Sequence, residues 1–295
     1  MHKTHNKYHI GILQLTQNLD DAVHGFKQGL ADLGITAHFN YVNADGNLAK
    51  LPLLATTLLE RGVDLIFACS TPAAKAAVEL DGDIPVVFTP VFDPVGVKLV
   101  ASLEHPGGKA TGVAGMVKAA DKIAFIQRLL PKAKTIGVLY HSSDGNSLLE
   151  MEHFRLAAKN IFNLVELPIH QPTDISILPD ILAPDLDVLF LPIGRIIEEN
   201  FASIVYYTDE INLPVITSHA PNMPAGALGG LVANHRLLGI DCAAKAAQIL
   251  NGAVPGTIPV GIVDNPEIQL NMFAARNLGI KIPVDLLTEA KEVFD

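Results

Sequence analysis

Val63-Asp-Leu-Ile-Phe-Ala-Cys69 in the first half of the chain and Leu186-Asp-Val-Leu-Phe-Leu191 in the second are nearly the same phrase written twice. Each is a short apolar run around one early aspartate. Runs of this length without polar alternation read as strands buried on both faces, as in a parallel sheet covered by helices. The correspondence extends outward on both sides. Upstream, His9-Ile-Gly-Ile-Leu-Gln-Leu15 matches Thr135-Ile-Gly-Val-Leu-Tyr-His141. Each leads through a polar loop into a helical pattern, about Asp20 to Leu33 and about Ser147 to Ile161. Second strands are read at Ala37 to Val42 and Leu164 to Ile169, followed by helices at about Leu48 to Arg61 and Ile175 to Leu182. Downstream, Pro85-Val-Val-Phe88 matches Pro214-Val-Ile-Thr217, and both halves close on Gly-rich segments, Gly107 to Gly115 and Gly226 to Gly230. An offset of roughly 125 residues is far too long for a solenoid period and marks a duplicated domain architecture.

Strand and helix alternate throughout, which predicts βαβ units with right-handed crossovers and helices on both sheet faces. The fold class is therefore α/β, two doubly wound parallel-sheet lobes. After Asn234 a helix (about Leu238 to Leu250), a strand-like segment (Ile258 to Val263) and a helix-forming tail complete both lobes. Lobe 1 is read as residues 8–115 with 235–262, and lobe 2 as residues 116–234 with 263–295. The crossings, near Ala114 to Val117, Ala233 to His235 and Val263 to Asn265, would form a multi-strand hinge.

Composition narrows the function classes. The 295 residues are 49% hydrophobic and 18% charged, which is globular. Mean hydropathy is +0.32, yet no apolar run approaches the ~18–20 residues of a membrane helix. A net charge of −10 without a Lys/Arg cluster argues against nucleic acid as a partner and favours a soluble monomer. Cys69 and Cys242 read as two small buried hydrophobes and not as a disulfide. The opening, Met1 to Tyr8, is polar and His/Lys-rich with no apolar export run. A phosphate-binding loop, a dinucleotide fingerprint after the first strand, His-Glu-x-x-His and Cys-x-x-Cys are all missing from the sequence. No catalytic residue, metal or cofactor is expected.

In open α/β sheets ligands bind beyond the carboxyl ends of the strands. In lobe 1 the residues there are Gln14 and Thr16, Ser70 and Thr71, and Phe92 and Asp93. Ser70-Thr71-Pro72 has the composition of a helix start, with backbone N–H groups able to receive an anion or simply capped. Phe92 could stack on a ring or fill core, and Asp93 before Pro94 could contact solute or close a turn. In lobe 2 the candidates are His141, Ser142, Ser143 and Asn146, then Gly194 and Arg195, then Ser218 and His219. Asn234, with His235 and Arg236, lies at a crossing. Arg195 suits a carboxylate held bidentately, or a surface ion pair.

At these residues the chain resembles the ABC transporter substrate-binding proteins related to tryptophan and aromatic amino-acid binders. The resemblance rests on Ser70-Thr71-Pro72-Ala73-Ala74, Ile84-Pro-Val-Val-Phe88 with Asp93-Pro94-Val95-Gly96, and Leu103-Glu-His-Pro-Gly-Gly108 with Thr111-Gly112-Val113. It continues through Ile136-Gly-Val-Leu-Tyr140 with Ser142-Ser143 and Asn146-Ser147 to Leu278-Gly-Ile-Lys-Ile-Pro283. It implies a type I periplasmic-binding-protein fold, hinge closure on a small molecule, and delivery to an ABC permease, with the protein periplasmic or extracellular at the membrane. A ligand-sensing input domain of a signalling system is the alternative. The resemblance carries over Gln14, Ser70, Thr71, Asp93, Ser142 and Asn146 as pocket residues. The chain departs from the family's amino-acid binders, which resemble Thr-Asp-Asn where Ile193-Gly194-Arg195 stands, and which often carry acids at His219-Ala220-Pro221 and at Asn234. A desolvated ammonium needs a carboxylate partner. These departures point to a ligand without a free ammonium, aromatic or otherwise carboxylate-bearing.

Overall fold

The computed structural model describes residues 8–295, so most of the polar opening at Met1 to Tyr8 lies outside the described residues. Two compact units emerge: the chain up to Met116 together with Asn234–Asp264, and Val117–Ala233 together with Asn265–Asp295.

The first unit runs β1 (Tyr8–Gln14), α1 (Asp20–Asp32), β2 (Ala37–Asn43), α2 (Leu51–Glu60), β3 (Leu65–Cys69), α3 (Thr71–Val78), β4 (Val86–Val91) and β5 (Ala110–Ala114). Its five strands lie in the order β2-β1-β3-β4-β5 and every pair is parallel. The apolar runs explain this: β3 is buried at all five positions, so both its faces must be covered.

In the second unit come α4 (Ala119–Leu129), β6 (Thr135–His141), α5 (Gly145–Ala158), β7 (Asn163–Ile169), α6 (Leu178–Ile181), β8 (Val188–Leu191), α7 (Arg195–Glu199), α8 (Phe201–Glu210), β9 (Val215–Thr217) and β10 (Gly229–Val232). The chain returns to the first unit for α9 (His235–Leu250). It ends in the second with β11 (Glu267–Asn271), α10 (Met272–Asn277), α11 (Val284–Glu289) and β12 (Glu292–Phe294). The order of this seven-stranded sheet is β12-β11-β10-β9-β8-β6-β7.

Several expectations are corrected. The sheets are not wholly parallel: β11 runs antiparallel to β10. Ile258 to Val263 is not a strand. Gly261 makes one isolated bridge to Val113, and Thr111 Oγ1 donates to the Ile258 carbonyl at 2.7 Å, but Pro259 has no N–H to extend a ladder. The Gly-rich segments expected to close each half become β5 and β10. The helix expected from Ser147 begins at Gly145, because Asp144 accepts from the Asn146 and Ser147 N–H groups and caps it earlier.

Helix α9 is seated on α1 through glycines. A Cβ on Gly25 would lie 2.0 Å from the Arg236 carbonyl oxygen, and one on Gly239 would lie 2.1 Å from that of Ala22. Backbone meets backbone at both points, so no side chain can yield. Cys69 and Cys242 are both buried free thiols, and burial pushes both above the usual thiol range.

Gly239→Ala should lower unfolding free energy by about 2 kcal/mol despite its better helix propensity, because overpacking outweighs it. Gly145→Ala, with nothing within 4 Å of the new Cβ, should be neutral or stabilising. Urea denaturation of the two variants compares them; an unchanged midpoint for Gly239→Ala would contradict this packing.

Candidate functional site at the strand carboxyl edges

Strand order reverses once in each sheet where successive crossovers pass to opposite sides of a central strand, and that reversal opens a crevice at the carboxyl edge. In the first unit the reversal lies between β1 and β3. Gln14 and Cys69 end these strands in register, which puts Gln14, Thr16, Ser70 and Thr71 at the crevice. Gln14 is wholly buried. Its Nε2 donates to Asp20 Oδ1 at 3.0 Å, and its Oε1 accepts from the Tyr41 hydroxyl at 2.7 Å. That hydroxyl in turn accepts from Asn43 Nδ2 at 2.8 Å. The carboxamide is therefore a fixed post, oriented by groups on α1 and β2.

Ser70 holds a left-handed backbone, φ +100°, and caps α3 by accepting the Ala73 N–H at 3.3 Å. A serine in that region stores strain. Thr71 follows, buried in the first turn. Thr16 extends the chain after β1 without capping the short 3-10 turn beyond it. Phe92 is buried just past β4. Asp93 Oδ1 accepts from the Val95 and Gly96 N–H groups at 3.1 and 2.8 Å, so one carboxylate oxygen closes the turn. Asn234 is the N-cap of α9, accepting from Leu237 N–H at 3.1 Å.

In the second unit the reversal lies between β6 and β8, bringing His141, Ser142, Gly194 and Arg195 to one crevice. A Cβ on Gly194 would sit 3.0 Å from Ser147 Oγ and 3.1 Å from the His141 Cβ, so this crowded spot favours glycine. His141 is buried and its Nδ1 makes no hydrogen bond; the Asp144 carboxylate stands 3.8 Å away. Burial holds this imidazole below its ordinary range, with Asp144 opposing and the Arg195 guanidinium assisting. Ser142 Oγ donates to the Ile169 carbonyl at 2.9 Å and also meets His170 Nδ1. Asn146 lies half-buried in the first turn of α5, and Arg195 is exposed at the start of α7. Ser218 and His219 follow β9. His219 Nε2 lies 3.8 Å from Glu198 Oε2, whose other oxygen accepts the Gly194 N–H at 3.3 Å.

Sequence reasoning missed the buried pair beneath these loops. Lys122 on α4 and Glu150 on α5 form an ion pair, both side chains almost wholly buried. Glu150 Oε1 also accepts from Ser218 Oγ, and its Oε2 accepts the Ile193 N–H at 2.8 Å. A signal was present: each residue sits on the apolar stripe of its helix, Glu150 with Met151 and Phe154, Lys122 with Ile123, Phe125 and Ile126. Asp20 and Tyr41 were missed for different reasons: the turn from β1 into α1 folds Asp20 back onto Gln14, and only the pairing of β1 with β2 brings Tyr41 there. Among the described residues, no group of three or more His, Cys, Asp or Glu is placed to hold a metal ion.

The model for ABC transporter substrate binding proteins matches residues 9–294. The chain belongs to this family. It is 32% identical over 269 residues to a tyrosine-binding protein of Clostridioides difficile, spanning 89% of this chain and 78% of that relative. A Streptococcus pneumoniae ABC domain solved in complex with L-Trp superposes with a TM-score of 0.88 at 29% identity, over 98% of this chain and 100% of that one. The ligand-free, open structure of a substrate binding protein with adhesive properties from Clostridium difficile gives 0.84 at 30% identity, over 97% and 99%. The expected type I periplasmic-binding-protein fold is thus found, in a family related to aromatic binders. No helix among the described residues is long and apolar enough to cross a membrane.

Folded His141 binds fewer protons than unfolded His141 near its ordinary value of 6.5. Unfolding free energy should therefore fall as pH drops through about 6.5 towards the lower folded value. His141→Gln should flatten this slope between pH 7 and 5. Chemical denaturation across that range checks it; a wild-type slope kept by the variant would contradict the reading.

Proposed function

We propose that this protein is the extracytoplasmic solute-binding component of an ABC importer. It captures a small carboxylate in the cleft between its lobes, closes about the three chain crossings, and hands the solute unchanged to a membrane permease. Family membership supports the transport role, and two strand-order reversals of the same kind support one ligand-bearing edge per lobe. Ligand contacts made only in the closed form would shift the open–closed population.

The ligand class rests chiefly on one observation: three acids near the carboxyl edge of the second unit, Asp144, Glu150 and Glu198, are already engaged, while among the described residues Arg195 makes no hydrogen bond or ion pair and is exposed. Glu150 is held by Lys122, Ser218 and the Ile193 N–H. Glu198 faces the Gly194 N–H and His219, and Asp144 caps α5. A desolvated ammonium set against these three acids would have to displace partners already in place, whereas a carboxylate would find a guanidinium suited to bidentate pairing. The relatives named for tyrosine and solved with L-Trp handle solutes that share a ring and a carboxylate with this class. We therefore read the ligand as an aromatic carboxylate without a free ammonium.

Isothermal titration calorimetry with indole-3-acetate and 4-hydroxyphenylpropionate, set against L-tryptophan and L-tyrosine, tests this. The deaminated acids should bind at least about tenfold more tightly, and Arg195→Met should weaken them by roughly 10- to 100-fold, the worth of a charge-assisted hydrogen-bonded pair. Tighter binding of either amino acid would overturn the ligand class.

A further inference from the structure

The Lys122–Glu150 pair is placed where a structural ion pair is unnecessary and a positioning one is useful. Charges buried this thoroughly give little net stability compared with apolar residues of similar volume, because desolvation consumes the Coulombic gain. The geometry instead distributes Glu150 over two loops. One oxygen takes the Ile193 N–H on the β8–α7 loop at 2.8 Å, the loop that carries Gly194 and leads directly into Arg195 at the start of α7. The other takes the Ser218 hydroxyl, at the start of the segment that carries His219. Lys122 neutralises this carboxylate from α4, the first helix after the chain enters the second unit. Its ammonium also lies over the Phe190 ring, 6.0 Å from the centroid, and that ring stacks on Phe154 at 4.1 Å. The ammonium is thus fixed by α5, by β8 and by the helix that bears it.

We propose that Lys122 and Glu150 are positioning residues that hold the β8–α7 and post-β9 loops in ligand-competent register. An apolar pair would fill the same space but could accept neither the Ile193 N–H nor the Ser218 hydroxyl. The affinity half of this inference rests on the binding function proposed above; the loop-holding half does not.

The test is the double variant Lys122→Met/Glu150→Leu, which removes both charges together at similar volume. Hydrogen–deuterium exchange should rise tenfold or more at residues 193–199 and 218–222, while amides within β6 and β8 stay within about twofold of wild type. Affinity for indole-3-acetate should fall at least tenfold. Unchanged exchange in both loops of a folded double variant overturns the proposal. Faster loop exchange with no indole-3-acetate binding by the wild type overturns the ligand reading and leaves the positioning role standing. Should the double variant not fold, Ser218→Ala decides: exchange should rise at 218–222 with 193–199 still protected, and no change at 218–222 counts against the proposal.

Discussion

A parallel strand cannot be joined to its neighbour by a tight turn. The chain must return along the sheet face, usually as a helix, so that successive parallel strands end at the same edge, while the right-handed sense of the return decides which face each helix covers. This constraint shapes most of the molecule. It makes the strand-end loops converge, and where strand order reverses it leaves a crevice among them. Gln14 with Ser70 in one unit, and His141 with Gly194 in the other, occupy equivalent places because each follows from the same rule. Residues distant in sequence need no direct signal to meet; β1 and β3 bring Gln14 and Cys69 into register across the whole of α1, β2 and α2.

Much of this was legible in the chain itself. Runs such as Leu-Ile-Phe-Ala-Cys are buried at every position, so their hydropathy announces the sheet. Legibility failed where burial and polarity disagree. Strand β11, Glu-Ile-Gln-Leu-Asn, buries Gln269 and Asn271. Asn271 is tolerated because its Nδ2 donates to the Met223 carbonyl at 2.7 Å and its Oδ1 accepts the Ala274 N–H at 2.9 Å; Gln269 Nε2 donates to Glu292 at 2.9 Å, while its buried Oε1 finds no hydrogen-bond partner among the described residues. Such partners become known only after folding. Ile258 to Val263 failed in the opposite sense: it has a strand's composition, but Pro259 and the single bridge at Gly261 leave no ladder.

The candidate site was legible in position more than in chemistry. The topological rule located the strand-end residues, yet it could not tell which polar atoms the protein uses itself. Gln14 spends both ends of its carboxamide on Asp20 and Tyr41, and Asp93 spends one oxygen on its own turn. Glu150, unread as part of the site, spends both oxygens beneath it. On the second unit's edge Asp144, Glu150 and Glu198 are each engaged by the protein's own groups, and the proposed charge of the ligand follows from that.

A crystal structure of the protein with the solute it carries when purified without denaturation would test this account most directly. The account predicts density beyond the carboxyl ends of β1, β3, β6 and β8, with an acid group paired to the Arg195 guanidinium. A solute seated at the amino ends of the strands, or an ammonium resting against the acids of the second unit, would contradict it.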